Sequence, residues 1–231
     1  MPVNEILKRA MDRGQRALSE YESKLLLAEY GLPVTREGLA HSPDEAAALA
    51  GEIGYPVVLK ACSPDLMHKS EGGFVELGLR DETAVRDAYS RLTAKAPAGI
   101  EGVLVQEMVR GKRELVLGLT RDPQFGPMVM AGLGGVLTEI FEDTAFRMAP
   151  IDEIEALDML DELRCRRMLD DFRGEATADL TAVARGLVAL GRVGLERPEI
   201  AEIDVNPLIV GPDGRPAAAD ALVVLKGTHN A

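Results

Sequence analysis

The stretch Gly54-Tyr55-Pro56-Val57-Val58-Leu59-Lys60 is a short apolar run, bounded by turn residues and closed by a cation. Its length and β-branched content predict a strand rather than a buried helix. Upstream, Ser42-Pro43-Asp44-Glu45 places an N-cap hydroxyl, a first-turn Pro and a Glu in capping-box spacing, which predicts a helix running through Ala-rich sequence to Gly54. Further upstream, Ser19-Glu20-Tyr21-Glu22 repeats the capping box. The helix it opens carries Leu25, Leu26 and Tyr30, stops at Gly31, and leads through Leu32-Pro33-Val34 into an extended segment.

Downstream, Phe74 to Leu79 reads as a strand and Asp81 caps a helix to about Lys95. Val103 to Met108, Glu114 to Leu119 and Met128 to Ala131 read as three successive strands. Helical pattern returns from Asp152 to about Asp171 and from Asp179 to Val193, and Ile200 to Leu225 reads as two strands around the turn Gly211-Pro212-Asp213-Gly214. Helices and strands are mixed rather than strictly alternating, so the expected class is α+β with two lobes. A helical lead-in over 1–20, an N-terminal lobe over 21–100 and a C-terminal lobe over 101–231 are expected, the boundary falling where small and turn-forming residues cluster from Pro97 to Gly102.

The chain has 231 residues, 46% apolar and 28% charged, with 4% aromatic and no Trp. Aliphatic side chains and Ala must therefore fill the core. The net charge of −12 argues against a nucleic-acid partner, which needs a basic face, and against an anionic membrane surface. It leaves room for a phosphate ligand held by a few lysines. Cys62 and Cys165 are far apart and lack CxxC spacing, so both read as reduced, partly buried residues. The N-terminal residues lack a signal-peptide apolar run, and no stretch approaches a membrane span. A cytoplasmic location is expected.

Four clusters could carry chemistry. Lys60 closes a strand ahead of a glycine-containing loop; alone it reads first as a surface lysine laid along apolar neighbours and second as a phosphate ligand. Ser63 to Gly73 combines small residues and glycines, which let backbone N–H groups approach an anion, with His68, Lys69 and Gly72 inside the loop; an exposed His is the plainer reading. The spacing is not that of a Walker A motif. Gln106, Glu107 and Val109 leave an apolar strand whose edge can meet an adenine, and Glu114 can accept from ribose hydroxyls, unless these carboxylates are merely solvated. Finally, Asn206 and Asp220 flank a turn, so that they could face each other across a hairpin. Mg²⁺ takes oxygen ligands from one or two protein groups and leaves the rest to water and phosphate. The alternative is a turn-capping Asn and an ion-paired Asp.

In order and spacing together these segments resemble a known family. The run Glu22-Ser23-Lys24-Leu25-Leu26, then Tyr30-Gly31-Leu32-Pro33-Val34 and Gly54 to Lys60, is similar to the opening of ATP-grasp domains. His68-Lys69-Ser70-Glu71-Gly72-Gly73, Arg121 to Pro127, Gly132-Leu133-Gly134-Gly135 and Asp204-Val205-Asn206-Pro207-Leu208 with Asp220 resemble the ADP-forming acyl-CoA synthetases of the acetate–CoA ligase type. The resemblance covers about residues 15 to 226.

It implies an ATP-grasp fold of two lobes with ATP or ADP between them. It implies that Lys60 binds nucleotide phosphates, with Lys69 and Gly72 in the adjoining loop, and that Gln106, Glu107 and Val109 line the adenine pocket, partly through backbone. Glu114 would contact the ribose, Asn206 and Asp220 would ligate Mg²⁺, and His68 would be a phosphohistidine station. The implied activity is that of a ligase β subunit, acyl-CoA + ADP + phosphate ⇌ acid + CoA + ATP. It needs an α-type partner that binds CoA and carries the first phosphohistidine, expected as an α₂β₂ heterotetramer. No G-x-G-x-x-G fingerprint for CoA is present in this chain. A subunit serving another acid, the ATP-grasp part of an acetyltransferase fusion, or a regulatory nucleotide-binding module without turnover are the competing expectations.

Overall fold

The computed structural model describes residues 3–64, 66, 73–97, 99–134, 143–171 and 174–227. The chain forms two compact units. The smaller comprises Leu18–Tyr21 and Thr35–Met108, and the larger comprises Met1–Ala17, Glu22–Val34 and Val109–Ala231.

In the smaller unit, β1 (Glu37–Ala40), β2 (Val57–Cys62), β3 (Val75–Leu79) and β4 (Gly102–Glu107) form one antiparallel sheet in the order β1-β4-β2-β3. Two helices cover one face, α3 (Pro43–Ile53) and α4 (Glu82–Lys95). Both begin where expected. The Ser42 hydroxyl accepts from the Glu45 N–H, and the Glu45 carboxylate accepts from the N–H of His41, one residue before the cap; the Asp81 carboxylate accepts from the Ala84 N–H. α3 stops at Gly54, whose φ of 95° suits a residue without a Cβ. Val57 and Leu59 of β2 and Val103 and Val105 of β4 pack with Ala46, Ala50, Val85, Ala88 and Leu92 of the helices. Because strand side chains alternate, Val58 and Lys60 point to the other face.

The chain leaves this unit after β4, at Met108, whereas the expected crossing over Pro97 to Gly102 precedes that strand. β4 pairs with β2 over its whole length and with β1 from Val103 to Gln106.

The larger unit contains α1 (Val3–Asp12), most of α2 (Glu20–Glu29), β5 (Arg113–Asp122), β6 (Gly126–Leu133), β7 (Thr144–Met148), α5 (Glu153–Asp161), α6 (Leu180–Glu196), β8 (Ile200–Val210), β9 (Pro216–Ala218) and β10 (Leu222–Leu225). Its sheet runs β10-β8-β5-β6-β7, with β9 paired to β8. α6 packs on β5 and β6 through buried Leu187, Leu190 and Val193, and Gly186 lies against Leu117 and Leu32. Leu115, Leu117 and Leu119 therefore face α6, and Glu114, Val116 and Gly118 face away from it.

Two expectations are corrected here, and one strand is added. The helix expected over Asp152 to Asp171 ends at Asp161, because the buried Asp143 carboxylate accepts the N–H groups of Arg164 and Cys165 and turns the chain into a short 3-10 helix over Arg166–Leu169. The tail holds three strands rather than two, since the chain bends after Ala218 and resumes pairing at Leu222. β7 went unread: Ala145 alternates with exposed Thr144 and Phe146, a weak apolar signal. The family-like run Arg121 to Pro127 is a hairpin, in which the Asp122 carboxylate accepts from the Gln124 and Phe125 N–H groups. Arg121 donates to the Gly194 and Arg197 carbonyls and so ties the end of α6 to the sheet. Neither Cys62, which is buried, nor Cys165 forms a disulfide. No helix among the described residues is long and apolar enough to cross a membrane.

Candidate functional site

In the smaller unit, Lys60 is 6% exposed. It is no surface lysine: its ammonium donates to the Glu20 carboxylate at 2.7 Å, and the Glu20 side chain is 1% exposed. Register explains how the neighbours arrive. Val58 of β2 lies opposite Gln106 of β4, and Gln106 lies opposite Glu37 of β1. Directly opposed residues share a face, so Lys60, Gln106 and Glu37 occupy the face turned away from α3 and α4. The first turn of α2 lies over the same face. Tyr21 there has its phenol raised above the ordinary value by burial first, then by the electrostatic influence of Glu37 and of Cys62.

Gln106 is 3% exposed. Glu107 is held in place by Arg36, whose N–H and Nε donate to its two carboxylate oxygens at 2.8 and 2.9 Å. Its own N–H donates to the Arg36 carbonyl. The Glu107 side chain is therefore engaged, and what it offers a ligand is chiefly backbone. The Met108 N–H reaches the Pro56 carbonyl. His68, Lys69 and Gly72 lie outside the described residues.

In the larger unit, Asn206 and Asp220 meet. Asp220 is not in a strand; it sits in the bend between β9 and β10. The Asn206 N–H donates to the Asp220 carbonyl at 3.2 Å, and the Ala219 N–H donates to the Pro207 carbonyl at 2.9 Å. On the other side of β8 the register slips: Leu208 opposes Leu115 and Val205 opposes Leu117, so Asn206 and Pro207 together stand against Val116. This bulge breaks the alternation of β8, leaving Val205 and Leu208 buried and Asn206 exposed between them. Bulges of this kind re-aim side chains at functional sites.

α2 fixes the Asp220 segment from behind. The buried Ser23 hydroxyl accepts from the Val223 N–H at 3.1 Å, and the buried Lys24 ammonium donates to the Ala219 carbonyl at 3.4 Å. Asp204, two residues before Asn206, lies opposite Gly118 and Leu222. Its carboxyl is pushed up to about 6, first by burial and then by the charges of Asp220 and Glu202. Glu114 lies on the same sheet face as Asp204, partly buried, and its carbonyl accepts from the Gly134 N–H at 2.7 Å. A Cβ at Gly134 would stand 3.0 Å from the Glu114 carbonyl carbon, so a larger residue would crowd the Glu114 backbone. Val109, partly buried, belongs to this unit and lies outside any strand.

No group of three or more His, Cys, Asp or Glu among the described residues is arranged to hold a metal. A zinc-type site is not what these residues build. An oxygen pair of this kind is what Mg²⁺ takes, binding through one or two protein groups; burial is the first cause of the raised Asp204 value, and the repulsion from Asp220 that adds to it is what a divalent cation would relieve.

Sequence reasoning missed Glu20, Ser23, Lys24 and Asp204. The first three fall in a helix (Glu20–Glu29), where polar residues need no site to account for them. Asp204 carried a signal, an acid inside the apolar run Ile203-Asp204-Val205.

Comparison with known proteins places this geometry. Residues 9–225 match the family model of the ATP-grasp domain. The chain is 43% identical over 227 residues to acetate–CoA ligase [ADP-forming] I of Archaeoglobus fulgidus, with 96% of the chain aligned to 33% of that protein. It thus spans about a third of that relative's length. It is 40% identical over 228 residues to the acetate–CoA ligase [ADP-forming] I subunit beta of Pyrococcus furiosus, covering 96% of the chain and 97% of that subunit. Among solved structures it is similar to dinucleotide-forming acetyl-coenzyme A synthetase 1 of Ca. Korarchaeum cryptofilum, with a TM-score of 0.91, 43% identity and coverage of 97% of this chain and 100% of that one. A second structure of that protein contains coenzyme A and Mg-AMPPCP, with its phosphohistidine segment pointing towards the nucleotide-binding site.

Proposed function

The chain belongs to the ATP-grasp family, and on that premise we propose that it is the nucleotide-binding β subunit of an ADP-forming acyl-CoA synthetase of the acetate–CoA ligase type. The reaction is acyl-CoA + ADP + phosphate ⇌ acid + CoA + ATP, completed by an α-type subunit that binds CoA and carries the first phosphohistidine, in an α₂β₂ assembly.

Phosphoryl transfer is mostly positioning and charge neutralisation. Lys60 meets the nucleotide phosphates, joined by Lys69 and the Gly72 backbone. The end of β4 at Gln106, Glu107 and Val109 meets the adenine edge, and Glu114 accepts from the ribose. Asn206 and Asp220 hold Mg²⁺, which when bound screens the phosphate oxygens. Neutral His68 is the covalent carrier: an imidazole nitrogen forms a P–N bond as the P–N bond of the partner's phosphohistidine, or the P–O bond to the γ-phosphoryl group of the nucleotide, breaks. The acetate-type acid follows the names of the relatives.

The observation that carries this reading is the junction of Asn206 with Asp220. Their backbones are hydrogen-bonded at 3.2 Å beside a partly buried acid, Asp204, raised to about 6. The experiment is turnover of acetyl-CoA, ADP and phosphate by the chain mixed with an α-type subunit, scored as ATP formed. ATP that requires both chains and Mg²⁺ supports the reading. Tight ADP binding with no turnover across a panel of acyl-CoA substrates would turn it into a regulatory module.

A further inference from the structure

We propose that Glu20 is a positioning residue for Lys60, holding the ammonium ready for a nucleotide phosphate. The proposal rests on the reading that Lys60 binds phosphate and adds a residue to it. Glu20 stands in the first turn of α2 and Lys60 inside β2, forty positions apart. Their 2.7 Å contact joins two side chains that are 1% and 8% exposed.

Ordering so long a side chain in the right rotamer carries an entropic cost that must otherwise fall at the moment of binding. A carboxylate on one side of the ammonium sets its direction in advance. The charge also matters. A lysine buried this deeply needs an anion, and Glu20 provides it whether or not a phosphate is present. The Lys–Glu pair of protein kinases, which must be formed before phosphoryl transfer, uses the same physics. Glu20 does not compete with phosphate in this arrangement, because the ammonium carries three donors and can bridge both anions.

The test is ADP affinity of the full 231-residue chain, measured by titration calorimetry for Glu20→Gln, Glu20→Asp, Lys60→Gln and the double variant Glu20→Gln/Lys60→Gln. The double variant removes both buried charges together and so keeps the experiment readable if Glu20→Gln alone folds poorly. Glu20→Gln is expected to weaken ADP by roughly tenfold or more, and Glu20→Asp to lie between it and the wild type. Glu20→Gln should add nothing once Lys60 is already Gln, because a residue acting through another is not additive with it. Wild-type affinity in Glu20→Gln, with Lys60→Gln weakened, overturns the proposal and leaves Lys60 in place. An undiminished further loss in the double variant overturns it as well. Wild-type affinity in Lys60→Gln removes the phosphate reading and this proposal with it.

Discussion

The Asn206 N–H donates to the Asp220 carbonyl at 3.2 Å, joining the backbones of two residues fourteen positions apart in sequence. The hydrogen bond sits at the bulge of β8, so the strand irregularity and the site arise from the same residues. Replacing Asp220 by Ala should leave this backbone pair intact while removing a charged oxygen ligand. The Mg²⁺ concentration needed for half-maximal ADP binding should rise by roughly tenfold or more. Unchanged Mg²⁺ dependence in calorimetric titrations would remove Asp220 from the metal site.

Ser23 supports the same segment from α2. Its hydroxyl is the acceptor for the buried Val223 N–H, and a buried donor left without a partner costs about 1–3 kcal/mol. Ser23→Ala should lower stability by that amount in denaturant titrations, and should also weaken Mg-ADP by displacing the Asp220 bend. Loss of stability with unaltered Mg-ADP affinity would confine Ser23 to the scaffold.

Asp204 gives a pH dependence whose sign can be worked out. Its folded value of about 6 lies above the ordinary 3.8, so between these values the folded protein keeps a proton that the unfolded chain has released. Stability must then fall as pH rises through that window and stay penalised above it. In metal-free protein, Asp204→Asn should raise the melting temperature at pH 7.5 and lose most of that gain near pH 4. An equal gain at both pH values would contradict the assignment of the penalty to Asp204 ionisation.

Gly134 lies against Glu114, and a Cβ there would meet the Glu114 carbonyl carbon at 3.0 Å and the Leu115 carbonyl oxygen at 3.1 Å, both backbone. Neither can rotate away. Gly134→Ala should destabilise by about 1–3 kcal/mol, as overpacking does, and shift Glu114 enough to weaken ADP. Wild-type thermal stability in this variant would show that the close approach is not needed.

Much of this was legible in the sequence, and for identifiable reasons. Caps such as Ser42 and Asp81 are local chemistry, so they mark helix starts without knowledge of the fold. The apolar run ending in Lys60 and the Asp204-Val205-Asn206-Pro207 segment were legible as well, because each breaks an apolar strand with a polar residue that needs a reason. The burial of Lys60 was not legible. It depends on Glu20, which local pattern assigns to an ordinary first-turn acid, and only the contact of Glu20 with β2 turns a surface-like lysine into an ion-paired one. The bend that holds Asp220 was misread as strand because the register of β9 and β10 on β8 is a long-range property. The break near Leu163 depends likewise on Asp143, twenty or more positions away.

The most direct measurement is phosphoryl transfer to His68. The chain, with an α-type subunit present, is incubated with Mg²⁺ and γ-labelled ATP, and the label is located by peptide mapping under conditions that preserve phosphohistidine. An acid-labile, base-stable label on His68 is expected, abolished in His68→Asn while ATP binding stays near wild type. Turnover to acetyl-CoA with no label on His68, or undiminished turnover by His68→Asn, would contradict the relay.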